Sequence, residues 1–313
     1  MPAKDVKHDP GRPLSPGAVA LMLLLCLSWG FNQVAVKLAL ADIPAMTQAT
    51  LRSLGALPVL LIVGWLRKAD FSLRDGTLGP GMISGIIFGI EFVLIYQGLR
   101  LTTASRAAVF LYTAPFFVAL GSYHMLGERM RTSQWAGLAL SFAGVALAIG
   151  VPQANVDVHV LLGDLMIVCG GAMWGATTLI AKGTKLRLAA PEKALAYQVA
   201  ISIPILGAAA FVFGETLTRM PGPVAISVVT YQAIWVVGLT FTMWFALVQR
   251  FSASKLSAFS FITPLFGVVA SYLILHETMT LSFGIAALLV VAGLYLVNRP
   301  EKARAKVAPD PNI

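Results

Sequence analysis

Ten apolar segments, near 17–40, 43–66, 77–100, 103–125, 131–151, 159–183, 190–213, 224–248, 253–275 and 279–297, take up about three quarters of this 313-residue chain. Each is close to the ~20 residues with which a helix crosses ~30 Å of hydrocarbon. Inside a bilayer the chain must pair its own backbone polar groups, so segments of this kind are predicted to be helices. With 58% hydrophobic and 12% charged residues and a mean hydropathy of +0.80, little is left over for a soluble domain. The expected fold class is an all-α integral membrane protein of ten transmembrane helices. The first segment runs well past the ~7–15 apolar residues of a signal peptide and is read as a retained helix.

The charges orient these spans. With the N-terminus placed in the cytoplasm, eighteen of the 23 Lys and Arg fall on cytoplasmic tails, loops and helix ends. Only Arg100, Arg106 and Arg219 fall on the other side, while Lys37 and Arg52 lie within spans. Positive charge stays on the cytoplasmic face, so both termini are expected there, in a bacterial inner membrane. The net charge of +9 then reports topology, and a nucleic-acid partner is not expected of basic residues scattered along one membrane face.

The chain also repeats itself. YTAPFFVALGSYHMLGE (Tyr112 to Glu128) lies over FITPLFGVVASYLILHE (Phe261 to Glu277) at an offset of 149, matching Pro115 with Pro264 and Glu128 with Glu277. Ser105, Arg106 and Gly144 match Ser254, Lys255 and Gly293 at the same offset. WGFNQVAVK (Trp29 to Lys37) lies over WGATTLIAK (Trp174 to Lys182) at an offset of 145, and Pro44 and Pro58 answer to Pro191 and Pro204. This is a duplicated five-helix unit. Five is odd, so the copies enter the membrane from opposite sides as an inverted repeat, the architecture of many alternating-access carriers. The boundaries are a tail at 1–15, a first repeat at 16–151, a second at 152–298 and a tail at 299–313. A proline in mid-span removes a backbone hydrogen bond and bends the helix. Pro115 and Pro264 serve either as static kinks or as hinges, and matched bending points are what two exchanging halves would need.

With "SWG" and a terminal lysine in the first helix, "LR" in the second, "ASRA" before the fourth and "GE" after it, residues 16–298 resemble the drug/metabolite transporter superfamily, built from two EamA-type repeats. Within it the chain looks most like exporters of aromatic and other amino acids of the YddG type. The resemblance implies a secondary transporter exporting amino acids, aromatic and other neutral ones favoured, with spans 1, 3, 4, 6, 8 and 9 around a central cavity. Related carriers move drugs and other metabolites on the same scaffold, so such efflux, with or without proton coupling, stands as the alternative.

Within those spans Trp29, Tyr96, Tyr112, Trp174, Trp244 and Phe261, together with Trp235, Phe241, Phe245 and Phe259, supply aromatic surface, and Asn32, Gln33 and Ser260 supply polar neighbours. The group suits a ligand with an apolar body and a few hydrogen-bonding groups, while any one ring has lipid contact as its bland reading. Glu91 and Arg52 each lie nine residues from the outer ends of spans 3 and 2, where an ionised side chain is costly unless paired or wetted. Two readings stay open. The pair is a structural ion pair that fixes register, or Glu91 faces the cavity to bind an amino group or a proton while Arg52 meets a carboxylate. Gly81, Gly85 and Gly89 form a stripe for helix packing. Glu128 and Glu277 are expected to cap the helices that follow them, with gating as the lesser reading. Cys26 and Cys169 read as small hydrophobes.

No HExxH, Cys cluster or phosphate-binding glycine loop appears, so no cofactor or metal is expected, and an intramembrane enzyme is only a distant alternative. The partners expected are a small-molecule substrate and the lipid bilayer. A chain carrying both repeats is compatible with a monomer.

Overall fold

The computed structural model describes residues 14–102, 104–149, 157–276 and 282–299; Glu277 and most of both tails lie outside the described residues. Helices account for nearly everything described, and no strand occurs among these residues. Ser15 opens α1 (Pro16–Ala39) by accepting the Ala18 amide at 3.2 Å, with Pro16 in the first turn where its missing N–H is harmless. There follow α2 (Ala45–Leu66), α3 (Leu78–Leu101), the broken pair α4 (Ala104–Leu111) and α5 (Ala114–Leu126), and α6 (Thr132–Ile149). The second half holds α7 (Val158–Gly183) and α8 (Pro191–Val212). Next comes α9 (Pro223–Tyr231), which runs through a π-helical stretch at Gln232–Phe241 into α10 (Thr242–Arg250). Then α11 (Ala253–Phe259) passes through a 3-10 turn at Ser260–Ile262 into α12 (Thr263–Leu275), and α13 (Ser282–Asn298) closes the chain.

Nine stretches among the described residues are long and apolar enough to cross a membrane, and Ser282–Asn298 is a shorter apolar helix. Outward faces carry exposed Leu27, Trp65, Phe211 and Leu288, which in water would be a liability and in lipid form the contact surface. The fourth and ninth apolar segments are broken beside the prolines that mark bending points in the sequence, and the eighth changes to π-helix at Gln232–Phe241 without a break. In the fourth, Pro115 lies in the first turn of α5 directly after the Tyr112–Thr113 break, and it has no N–H to offer the Leu111 carbonyl. Pro264 occupies the same place at the start of α12.

Helix pairing repeats within the bundle. Numbering the ten apolar segments in order, segment 2 packs on 7 (α2 on α8) and 5 on 10 (α6 on α13). Segment 1 packs on 9 (α1 on α12) as 6 does on 4 (α7 on α5), and 3 on 7 (α3 on α8) as 8 does on 2. Exchanging each segment with the one five places on returns the same set. Two glycines show why. A Cβ on Gly30 would stand 2.7 Å from the Thr263 carbonyl and the Phe266 Cβ, and one on Gly175 would stand 3.2 Å from the Phe117 Cβ. Phe117 is the repeat partner of Phe266, so the glycine after each matched tryptophan lets one half approach the proline-broken segment of the other. The stripe Gly81, Gly85, Gly89 does pack a helix: it receives Tyr197, Ile201 and Ile205 of α8.

Candidate functional site: the central cavity

Small residues bring α1, α3, α7 and the broken segments close, and their larger side chains leave a central cavity of about 230 Å³. One wall is aromatic. Trp244 stacks on Trp174 (5.4 Å, 25°) and meets Trp29 edge-on at 5.8 Å, and Trp29 meets Phe241 at 5.9 Å. Trp29 is locked by an indole N–H donated to Thr240 Oγ1 at 2.9 Å, so this wall is preorganised. Gln33 donates to the Tyr112 hydroxyl at 3.2 Å, and Ser260 donates to the Ser257 carbonyl at 2.7 Å.

Of the residues singled out from sequence, Trp29, Asn32, Gln33, Glu91, Tyr112, Trp174, Trp244 and Ser260 line this cavity, as does Arg52. Phe241 and Phe245 line it too. Four do not: Tyr96 tilts against Phe92 one helical turn away (5.9 Å), Phe261 is fully buried against Phe116 in the core shared with α6 and α13, Phe259 is buried in the core with Cys26, and Trp235 donates its indole N–H to Ser28 Oγ at 3.0 Å. Residue type cannot tell a ring facing the cavity from one facing a neighbouring helix. Phe88, Phe92, Thr177, Thr178 and Gln198 also line the cavity and were not foreseen. For the two phenylalanines a signal existed: 88, 91, 92 and 95 fall on one helical face with Glu91.

Arg52 and Glu91 are 4% and 3% exposed, yet they do not close into an ion pair with each other. The Arg52 guanidinium lies 4.2 Å over the Phe92 ring, a cation–π seat. Arg52 Nε and Nη2, Glu91 Oε2 and Asn32 Oδ1 are buried with no hydrogen-bond partner among the described residues.

Two ion pairs tie the halves together at opposite ends of the α4/α5 segment. At one, Arg106 forks onto Asp164 of α7, whose Oδ1 also accepts from Thr102 at 2.7 Å. At the other, Glu128 pairs with Lys182 at 2.9 Å and accepts from Ser252 Oγ (2.8 Å), Ser254 Oγ (3.1 Å) and the amides of Ala253 and Ser254. Glu128 therefore caps α11 in the other half, while ahead of α6 Gln134 accepts the Arg131 amide at 2.9 Å. Gly127, in the left-handed region at φ 67°, ends α5 just before Glu128. Burial pushes the Glu128 carboxyl up, but Lys182, Ser252 and the Ser254 amide together outweigh it and hold the group below its ordinary 4.5. Lys182 donates also to the Phe251 carbonyl, and the Cys26 thiol to that of Phe259 at 3.2 Å.

A helical bundle of membrane-crossing length, paired half against half around a small central cavity, is the build of a small-molecule membrane transporter. The EamA-like transporter family model matches residues 16–150 and again 161–299, and the chain belongs to that family. It is 25% identical to the uncharacterized transporter YoaV of Bacillus subtilis, over 88% of this chain and 94% of that one. It is 28% and 26% identical to proteins named probable amino-acid metabolite efflux pump in Salmonella typhimurium and Escherichia coli, each over 88% of this chain and 93% of the other. A solved crystal structure superimposes with a TM-score of 0.77 over 90% of this chain and 97% of its own, at 19% identity, and so shares the fold.

Proposed function

We propose that this protein exports amino acids, aromatic and other neutral ones favoured, across the bacterial inner membrane by alternating access. The observation that carries the reading is the tryptophan-walled cavity of about 230 Å³ between the two halves. That volume lies below the ~300–1,000 Å³ of pockets for drug-sized ligands, which favours a small metabolite over an amphiphilic drug. The names of the Salmonella and E. coli relatives point the same way. On this reading residues 16–151 and 152–298 rock against each other between cytoplasmic tails, with Pro115 and Pro264 as bending points and Trp29, Trp174 and Trp244 holding the apolar body of the substrate.

Counterflow tests it. Proteoliposomes loaded with phenylalanine should concentrate labelled phenylalanine, with competition by neutral amino acids and little by sugars or lipophilic cations. Failure to exchange phenylalanine, with pH-dependent competition by cations, would replace amino-acid export with cation efflux.

A further inference from the structure

We propose that Arg52 and Glu91 form a two-ended clamp for a free α-amino acid, the guanidinium taking its carboxylate and the carboxylate, with Asn32, taking its ammonium. The proposal rests on the amino-acid reading above and names how that substrate is recognised.

Charges buried at membrane depth normally find partners. Here an acid and a base come from adjacent helices, α2 and α3, and line the same cavity without a hydrogen bond between the Arg52 Nε or Nη2 and the Glu91 Oε2. Arg52 keeps Nε and Nη2 unpartnered, two donors of the fork that matches a carboxylate. Glu91 keeps Oε2 unpartnered and Asn32 keeps Oδ1, two acceptors suited to an ammonium. Phe92 covers one face of the guanidinium, and the donors at its edge are buried without a hydrogen-bond partner among the described residues. Burying such groups without hydrogen-bond partners is unfavourable, and a ligand that satisfies them recovers that free energy on binding.

The same inventory ranks ligands. Among the described residues lining the cavity, Arg52 and Glu91 are the only basic and acidic side chains. A cationic amine would neutralise Glu91 and strand Arg52, and an organic acid would do the reverse. A zwitterion satisfies both, while the three tryptophans pack its side chain without demanding one shape. Specificity is therefore strict at the backbone end and permissive at the side-chain end.

The test is a competition series against labelled phenylalanine in counterflow: phenylalanine, its methyl ester, phenethylamine and N-acetylphenylalanine. The wild type is expected to bind each singly charged analogue roughly tenfold or more weakly than phenylalanine, the effect of stranding one charged hydrogen-bonding group. Arg52→Gln should erase discrimination against the ester and phenethylamine but keep it against the N-acetyl compound. Glu91→Gln should do the opposite. General damage to the fold cannot produce that crossed pattern. If either variant fails to fold, the wild-type series decides alone. Phenylalanine exchange with equal competition by all four compounds overturns the clamp and leaves amino-acid export standing; absence of phenylalanine exchange removes both.

Discussion

Trp244 is the ring on which the cavity wall depends, since it touches both matched tryptophans, Trp29 and Trp174. Replacing it with alanine removes two aromatic pairings worth about 0.5–1.5 kcal/mol each. Those pairings are made with or without a ligand, so their loss lowers thermal stability; the loss of ring surface from the cavity wall is expected to weaken competition by phenylalanine and tryptophan, with alanine competition changed less. Phe261 serves as the contrast. It is fully buried away from the cavity, so Phe261→Ala should lower thermal stability by about 3–5 kcal/mol and leave the ranking of substrates intact. Before the fold is known these two rings are indistinguishable, because both are aromatic residues in apolar segments. Which one meets the cavity is set by helix rotation, and that depends on packing partners distant in sequence.

Among the elements, the segments broken at Pro115 and Pro264 are the ones that each half presents to the glycine of the other. Gly30→Val would force methyl groups against the Thr263 carbonyl and Phe266, and overpacking of this kind destabilises by about 1–3 kcal/mol. A lower midpoint in a thermal-stability assay would show it. Pro115→Ala combined with Pro264→Ala is expected to slow counterflow more than it weakens competition by phenylalanine; an unchanged transport rate would make the prolines static kinks. The prolines and their pairing were legible in the sequence. The π-helical stretch at Gln232–Phe241 was not, since no residue type specifies it and it appears where α9 and α10 must both fit against α2 and α8.

At the scale of the molecule, the Glu128–Lys182 pair and the Arg106–Asp164 pair join the two halves at opposite ends. Lys182→Met takes the cation from the Glu128 carboxylate, which is 3% exposed and keeps its hydrogen bonds to Ser252, Ala253 and Ser254, and removing one partner of a buried pair typically costs about 3–5 kcal/mol. If opening at that end requires parting Glu128 from Ser252, this variant should also raise the labelling of a cysteine placed at Thr177 by a reagent applied from that end. The pH dependence has a definite sign. The folded-state value of Glu128 lies below 4.5, so its stabilisation is fully present above the unfolded value and is lost as pH falls through the lower folded one. A stability curve flat from neutrality to about pH 5 and falling more steeply in wild type than in Glu128→Gln below that would show this contribution.

The sequence by itself determined the bilayer as solvent, the helical class and the twofold repetition, because lipid admits few backbone solutions and a duplicated unit carries its prolines and glycines with it. It also pointed to most of the polar and aromatic residues around the cavity. Only the tertiary structure decided that Arg52 rests on Phe92 rather than on Glu91, that Tyr96 and Phe261 turn away, and that Glu128 caps a helix of the opposite half. The physical reason is the same in each case. These outcomes depend on the rotation and approach of helices that lie far apart in the chain, and neither residue type nor spacing along one helix contains that information.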